Sequence, residues 1–367
     1  MTLKSQKDLS TIIKGGLLSY YNKSVFSAAS VTFWGAVQSD AEVCHVHCGK
    51  TTNKEEDKVD ELSLFDLASL TKPLVSLLCV LDLIEKKKIS WEEPLTSLLE
   101  RKIPSPFAAI DLQSLVGHYS GLAAHENYWE KLRGVDKDKR KKWLLEQILT
   151  GSSQYKTGTS HIYSDLGYML LGFVVEEKSF ESLEYYWIKN IAEPLGLTEQ
   201  FCFSGACSGK NTVPTGYCRW SNEPLTGIVN DDNCRALEGG CGHAGLFGSS
   251  FGVLTLCREF LSLFHARKSL LPISSETFRY ACRQVDNSEW TRGFNLPSAQ
   301  GSSSGDYFSA KSIGHLGFTG VSFWIDLEKE LIVVLLTNRV IKGDELKGIR
   351  TMRPDMHNKI IEYLYRK

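Results

Sequence analysis

Apolar residues recur along this chain with two periods, and the changes of period mark its organisation. Residues 8–22 place Leu9, Ile12, Ile13, Leu17 and Leu18 on one stripe of a helix. Two runs rich in β-branched and aromatic residues follow, Ala28 to Gly35 and Glu42 to Cys48; the polar Ser39-Asp40 between them predicts an antiparallel hairpin. Leu74, Leu77, Leu78 and Leu81 return to helical spacing, and Lys86-Lys87-Lys88 supplies cations suited to the end of that helix. From Trp91 to about Leu270 the period is mostly helical, clearest over 112–116, 142–149, 166–177 and 183–191. The glycine-rich loop Gly239 to Gly245 precedes a helix expected from Phe251 to Phe264, and Gly301 to Gly305 reads as a short flexible loop. Val321–Asp326 and Leu331–Thr337 are again strand-like, split by the charged turn Glu328-Lys329-Glu330, and a last helix is expected from about Asp355 to Tyr365.

Strands at both ends with a helical middle imply an α/β fold, an antiparallel sheet built from both termini and flanked by helices. The expected division is residues 1–85 and 305–367 for the sheet region and 86–304 for an inserted, mainly helical region. A ligand is expected in the cleft between them. At 367 residues, 42% hydrophobic and 11% aromatic, the chain can bury a large core. A formal charge of −1 makes no electrostatic case for nucleic acid or a membrane surface. No stretch reaches the roughly 18 apolar residues of a membrane span, and residues 1–24 carry no secretory signal pattern. Ten cysteines in that setting are expected to be free thiols in a reducing compartment, which points to the cytoplasm. Cys44-His45-Val46-His47-Cys48 suggests a metal site, but strand alternation sends cysteines and histidines to opposite faces, so no metal and no other cofactor is expected. Oligomeric state is left open.

Candidate chemistry concentrates in Phe65-Asp66-Leu67-Ala68-Ser69-Leu70-Thr71-Lys72-Pro73. Pro73 has no amide proton and belongs in a first helical turn, so the helix should begin close to Ser69. At i and i+3 the Ser69 hydroxyl and the Lys72 amine share a face. A buried lysine can lose its proton near neutrality and then take one from the serine. Alone, this pattern also describes a capping serine and a solvated lysine. Two further segments give it weight. Tyr163 in His161-Ile162-Tyr163-Ser164-Asp165 stands where a loop meets a helix, and a tyrosine beside a lysine cation can have a lowered pKa and carry protons. Gly314-His315-Leu316-Gly317-Phe318 opens the penultimate strand, where glycines would let a substrate approach the backbone.

In this order the three segments resemble the penicillin-recognising serine hydrolases, a family of β-lactamases, D,D-peptidases, esterases and aminopeptidases, and most closely its class C β-lactamase branch. The family marks are S-x-x-K, Y-x-N and K-T-G or H-x-G. They correspond to Ser69 with Lys72, Tyr163 with Asp165, and His315 with Gly317; His118-Tyr119-Ser120-Gly121-Leu122 looks like its H-x-S-G-L loop. The likeness runs from about residue 20 to 362. It implies a serine hydrolase acting on a small-molecule or peptide ester or amide. Ser69 would form an acyl-enzyme, Lys72 and Tyr163 would move the protons, and the backbone amides of Ser69 and Phe318 would form the oxyanion hole. Which of Lys72 and Tyr163 is the acylation base stays open.

Two departures bear on the substrate. Asp165 puts an acceptor where the family commonly has an amide, and His315 replaces a permanent cation, so β-lactam hydrolysis is expected to be weak or absent. If His315 titrates near its ordinary ~6.5, affinity for carboxylate substrates should fall as pH rises through that value. Three rival readings are weighed. Gly248-Ser249-Ser250-Phe251-Gly252 matches a nucleophile elbow, but no apolar strand is evident before it, so Ser250 is expected to be a helix-start serine. His118 and His243 read as loop histidines bonded to backbone. The alternative function is a covalent sensor or binding module on the same fold.

Overall fold

The computed structural model of the chain describes residues 6–37, 40–51, 57–151, 154–343 and 346–365. Its strands in chain order are β1 (Ala28–Val37), β2 (Asp40–Gly49), β3 (Phe65–Asp66), β4 (Phe201–Phe203), β5 (Leu246–Gly248), β6 (Ile313–Leu316), β7 (Ser322–Asp326) and β8 (Leu331–Thr337). The main sheet runs β2-β1-β8-β7-β6, antiparallel throughout, so strands from both ends of the chain pair directly. Val31 faces Leu335 and Phe33 faces Val333 across that junction. Strand β8 shows no polar alternation because both its faces are covered. Leu331, Val333 and Leu335 face the terminal helices Gln6–Asn22 and Lys347–Tyr365, packing with Leu9, Ile13, Leu17, Met352 and Ile360. Ile332, Val334 and Leu336 face the opposite core, which runs into the helical region through Leu74, Leu78, Leu170, Trp187 and Phe260.

Several details differ from the pattern-based expectation. His315 lies in a strand of its own, β6, which pairs with β7 through His315↔Phe323; it does not open the β7 strand. A second small sheet, β3-β5-β4, sits within the otherwise helical middle and holds the segment just before Ser69. The C-terminal helix starts at Lys347 and keeps Pro354 inside it. The roughly 3 kcal/mol that an interior proline costs is offset by burying Ile349, Met352 and Met356 against the sheet. The Gly301–Gly305 segment is tied down, with Ser302 and Ser304 buried and bonded to each other at 2.7 Å and the Ser303 carbonyl accepting from His357 at 2.8 Å. Cys202 and Cys207, five residues apart at the ends of a tight loop, form a disulfide, so the expectation of free thiols throughout does not hold. Cys44 is buried among the apolar side chains under the sheet, while His45 and His47 face the other way and bond Thr32 and Ser30. Among the described residues no cluster of His, Cys, Asp or Glu is arranged to hold a metal. No helix among them is long and apolar enough to cross a membrane.

One buried cation ties the C-terminal helix to the turn after β6. Arg353 donates from Nη2 to the carbonyls of Gly317 (2.8 Å) and Val321 (2.7 Å). Its pKa is pushed down to about 9 by burial and by the neighbouring Arg339. Arg353→Ala would take the charged donor from two buried carbonyls, leaving each with one backbone N–H, and should cost roughly 2–5 kcal/mol. Urea denaturation monitored by tryptophan fluorescence checks this. An unchanged midpoint would show that the helix and the turn are not coupled through Arg353.

Candidate active site

The backbone before Ser69 is bent into a conformation that costs energy. Ala68 has φ +46°, a left-handed value that a residue with a Cβ adopts only under constraint. Asp66, buried at the end of β3, supplies the constraint. Its Oδ1 accepts from the Ala68 N–H at 2.9 Å, and its Oδ2 accepts from the Asn230 N–H at 2.7 Å and the Thr215 hydroxyl at 3.1 Å. Its carbonyl accepts from the Thr319 hydroxyl at 2.7 Å, joining the Ser69 turn to the loop after β6. Burial pushes the Asp66 carboxyl up to about 6, against the pull of these hydrogen bonds. After the bend come a tight 3-10 turn, Ala68–Leu70, a π-helical stretch, Lys72–Leu77, and the α-helix Leu78–Glu85. Pro73 lies in the first turn, as its missing N–H requires.

Lys72 is fully buried, yet its amine reaches three oxygens: Ser69 Oγ at 3.0 Å, Asp165 Oδ1 at 2.7 Å and the His243 carbonyl at 3.3 Å. Burial alone would pull its pKa down. Asp165 and Tyr163 outweigh that and hold it above the ordinary lysine value. The expectation of a lysine that deprotonates near neutrality is therefore overturned: with a carboxylate at 2.7 Å, Lys72 rests as an ammonium ion. Burial would raise the Asp165 carboxyl, but Lys72 and a hydrogen bond from His125 bring it well below the usual carboxylate range. Asp165 also opens the helix Asp165–Ser179, capped by Ser164, where the helix dipole favours an anion.

Tyr163 lies beside this pair, with Lys72 Nζ 4.8 Å from the ring centre. Burial pushes its phenol up, and the Lys72 charge with hydrogen bonding to Lys72 and Ser69 recovers only part of that rise. The lowered tyrosine pKa expected from the sequence is thus corrected: the phenol keeps its proton. His118, with φ +62°, stacks on Tyr163 at 4.6 Å and accepts from the Ser164 N–H at 3.1 Å through Nδ1. Burial, with Lys72 and His315 nearby, holds it well below the ordinary histidine value, so it is a neutral support for the tyrosine loop. His315 is equally dry, 2% exposed, and its Nδ1 donates to the Leu316 carbonyl at 2.9 Å. Burial and Lys72 push its pKa down to about 3. The expected titrating anion site at His315 is therefore a correction too: the ring is neutral across the physiological range.

Gly317 plays a different part from the one expected. A Cβ there would meet Val321 at 2.3 Å, the Leu67 carbonyl at 2.9 Å and Ala68 at 3.3 Å. Its bare backbone lets the turn after β6 press against the Ser69 turn, and Phe318 and Ser69 line one cleft. Among the described residues the Phe318 N–H has no backbone acceptor. Its ring is 47% exposed and carries Arg339 over its face at 4.6 Å. A cleft of about 530 Å³ opens over this assembly, lined by Ser69, Asp165 and Phe318, together with His125, Asp231 and His243.

Those last three are residues that sequence reasoning missed or misjudged. His243 is bonded to a carboxylate, not to backbone as expected: Nε2 lies 3.0 Å from Asp231 Oδ1, and the Asp231 charge outweighs burial to keep the imidazole protonated. His125 Nδ1 lies 3.0 Å from Asp165 Oδ2, and that bond raises its pKa. No local pattern marks either pair, because their partners lie 12 and 40 residues away. Ser250 is 2% exposed and bonded to the Ser30 and Thr32 hydroxyls at 2.7 and 2.9 Å, away from the cleft. A short buried strand, β5, does precede it, contrary to the sequence reading, but the capping residue of its helix is Ser249.

The chain is similar to several known proteins. The family described as Beta-lactamase matches residues 31–353. A "Putative D-alanyl-D-alanine carboxypeptidase" of Escherichia coli (strain K12) is 26% identical over 340 residues, covering 83% of this chain and 74% of that protein. An "N-acetylmuramyl-L-alanine amidase" of Bacillus subtilis (strain 168) is 25% identical, covering 77% and 69%. Among solved structures, "EstCE1, a hydrolase with promiscuous acyltransferase activity" superposes with a TM-score of 0.73 at 17% identity, covering 95% of this chain and 98% of that one. "D-alanine Carboxypeptidase AmpC from Burkholderia cenocepacia" superposes with a TM-score of 0.72 at 14% identity, covering 97% and 99%.

The Asp66 network yields a prediction. Asp66→Ala removes the acceptor of three buried donors, about 1–3 kcal/mol for each one left unsatisfied, and releases the Ala68 bend. The variant should melt lower than wild type and turn over an ester substrate at least about tenfold more slowly, since small misplacements of a nucleophile are costly. Wild-type kcat in a variant with a lowered Tm would show that Asp66 serves stability alone.

Proposed function

We propose, from the premise that the chain belongs to the Beta-lactamase family and is a serine hydrolase acting through an acyl-enzyme, that Ser69 is its nucleophile and Tyr163 its proton relay. Lys72 acts in this reading as a fixed cation. The observation that carries it is the Lys72–Asp165 ion pair at 2.7 Å, which keeps the lysine protonated and therefore unable to accept the serine proton.

A neutral phenol can still relay. As Ser69 Oγ attacks the carbonyl carbon, its proton passes to Tyr163 Oη while the phenol proton passes to the leaving oxygen or nitrogen. The bond between carbonyl carbon and leaving group breaks, and the acyl group stays on Ser69. Water then attacks the acyl-enzyme, giving its proton to Tyr163 as the phenol proton returns to Ser69. Phenolate character at each transfer is stabilised by the Lys72 charge. The N–H groups of Ser69 and Phe318 serve as the oxyanion hole.

The substrate is an ester or amide of a small molecule or peptide. The E. coli and B. subtilis relatives bear the names of a carboxypeptidase and an amidase, which supports amides and peptides among the candidates. The 47% exposed Phe318, with Val340 and Ile341, gives the cleft an apolar wall suited to an ester acyl chain. A neutral His315 offers no cation to a β-lactam carboxylate, so β-lactam turnover should be weak or absent.

Three variants test the reading. Ser69→Ala should lose p-nitrophenyl ester turnover and labelling by a fluorophosphonate while melting like wild type. Tyr163→Phe should lower kcat roughly 10²–10⁴-fold, the usual contribution of a positioned proton carrier. Turnover retained in Tyr163→Phe would make Lys72 the base. In Asp165→Asn, loss of the counter-charge leaves burial to lower the Lys72 pKa, so Tyr163→Phe in that background should regain part of its rate as pH rises. Labelling of Ser69 without turnover of any ester, amide or nitrocefin would favour the covalent-sensor alternative.

A further inference from the structure

Asp165 divides its carboxylate between two cations. Oδ1 takes the Lys72 ammonium at 2.7 Å, and Oδ2 takes His125 Nδ1 at 3.0 Å. A substrate therefore meets, in place of a free carboxylate, the group bonded to its outer oxygen. His125 lines the cleft with Ser69, and its side chain is 43% exposed. Among the described residues its Nε2 takes part in no hydrogen bond. We propose that His125 is a specificity-determining residue, presenting Nε2 to a carbonyl or carboxylate that the substrate carries beside the scissile ester or amide. The inference rests on Ser69 being the nucleophile.

The chemistry of the pair fixes what Nε2 can do. An ionised carboxylate cannot donate, so the Nδ1–Oδ2 bond requires the proton on Nδ1. Nε2 is then a donor in the imidazolium and an acceptor in the neutral ring. Above the imidazole's pKa the ring suits an amide N–H or hydroxyl; below it, a carbonyl or carboxylate. The hydrogen bond to Asp165 raises that pKa against the effect of burial; the Asp165 and Asp231 charges add to the rise, and protonated His243 opposes it. Lys72 stands behind Asp165, and across the cleft Arg219 is paired with Asp232 at 3.2 Å. The donor that an amide side chain would offer at position 165 is thus supplied by a neighbouring, titratable ring. The pH-dependent anion selectivity that sequence reasoning placed on His315 belongs here to His125.

The test compares the p-nitrophenyl monoester of adipic acid, anionic throughout the range, with neutral p-nitrophenyl butyrate, from pH 5.5 to 9. In wild type the ratio of their kcat/KM values should fall about tenfold as His125 loses its proton, the lower end for a charge-assisted hydrogen bond. The change should lie mainly in KM of the monoester. His125→Phe should show the low ratio at every pH, and His125→Gln, which keeps a donor but cannot titrate, an intermediate and pH-independent ratio. If the phenylalanine variant does not fold by thermal melt, the glutamine variant decides alone. The same pH-dependent ratio in wild type and variants overturns the proposal, as does a flat ratio in wild type. Intact-mass detection of the fluorophosphonate adduct on wild-type Ser69 keeps the two readings apart. An absent adduct with turnover retained in Ser69→Ala sinks the nucleophile assignment and this inference with it. An adduct present with an unchanged ratio sinks this inference alone.

Discussion

A lysine ammonium with no exposed surface is the constraint around which this site is built. Taking such a charge out of water costs several kcal/mol even after relaxation. Lys72 also sits in the first turn of its helix, where the dipole opposes a cation. Its compensation comes from Asp165 and Tyr163, with the oxygens of Ser69 and His243. Asp165 is placed to supply it by the opposite helix effect, as an anion at the start of a capped helix. The two helices thus bring their dipole-positive ends to one point, and the carboxylate answers both. With an amide at 165 the cation would be less compensated and easier to deprotonate. In the reading proposed above, the identity of one residue separates a lysine that accepts protons from one that only polarises.

Burial, reinforced by the same charge, explains the neutrality around it. His118 and His315 both lie near Lys72 in dry surroundings, and both are held unprotonated. The histidines whose proton affinity is raised, His125 and His243, each have a carboxylate at 3.0 Å. Among the site's imidazoles the partner, and not the residue type, decides the charge state. The cleft accordingly presents cations on its Asp165 and Asp231 sides and apolar surface at Phe318, Val340 and Ile341.

Geometry at Ser69 comes from contacts between distant segments. Asp66 holds the strained Ala68 from β3, Thr319 ties Asp66 to the turn after β6, and Arg353 grips that turn from the C-terminal helix. Gly317 is bare where Ala68 and Leu67 must come close. Strain at Ala68 persists because these contacts arrive from three separate parts of the chain.

Periodicity was enough to read the hairpin at residues 28–49, the β8 strand, the helices over 112–116 and 166–177, and the start of the Ser69 helix, since each records local burial. That Ser69, Lys72 and Tyr163 meet was legible because the serine and lysine share one turn and the three segments keep a recognisable order. The β6 strand, only four residues long, was hidden by its glycine and by the turn that follows it. Pro354 likewise hid the first part of the last helix, whose burial against the sheet overrides the proline. Protonation states were out of reach of the sequence. Residue type alone suggested a Lys72 able to lose its proton near neutrality, an acidified Tyr163 and a His315 titrating near its ordinary value, and none of the three held once burial and partners were set. The Asp165–His125 and Asp231–His243 pairs were invisible for the same reason. Types and spacings within a turn are written in the chain itself. Charge depends on which groups meet across 40, 93 or 171 residues and on how little water is left between them, and only the tertiary structure decides that.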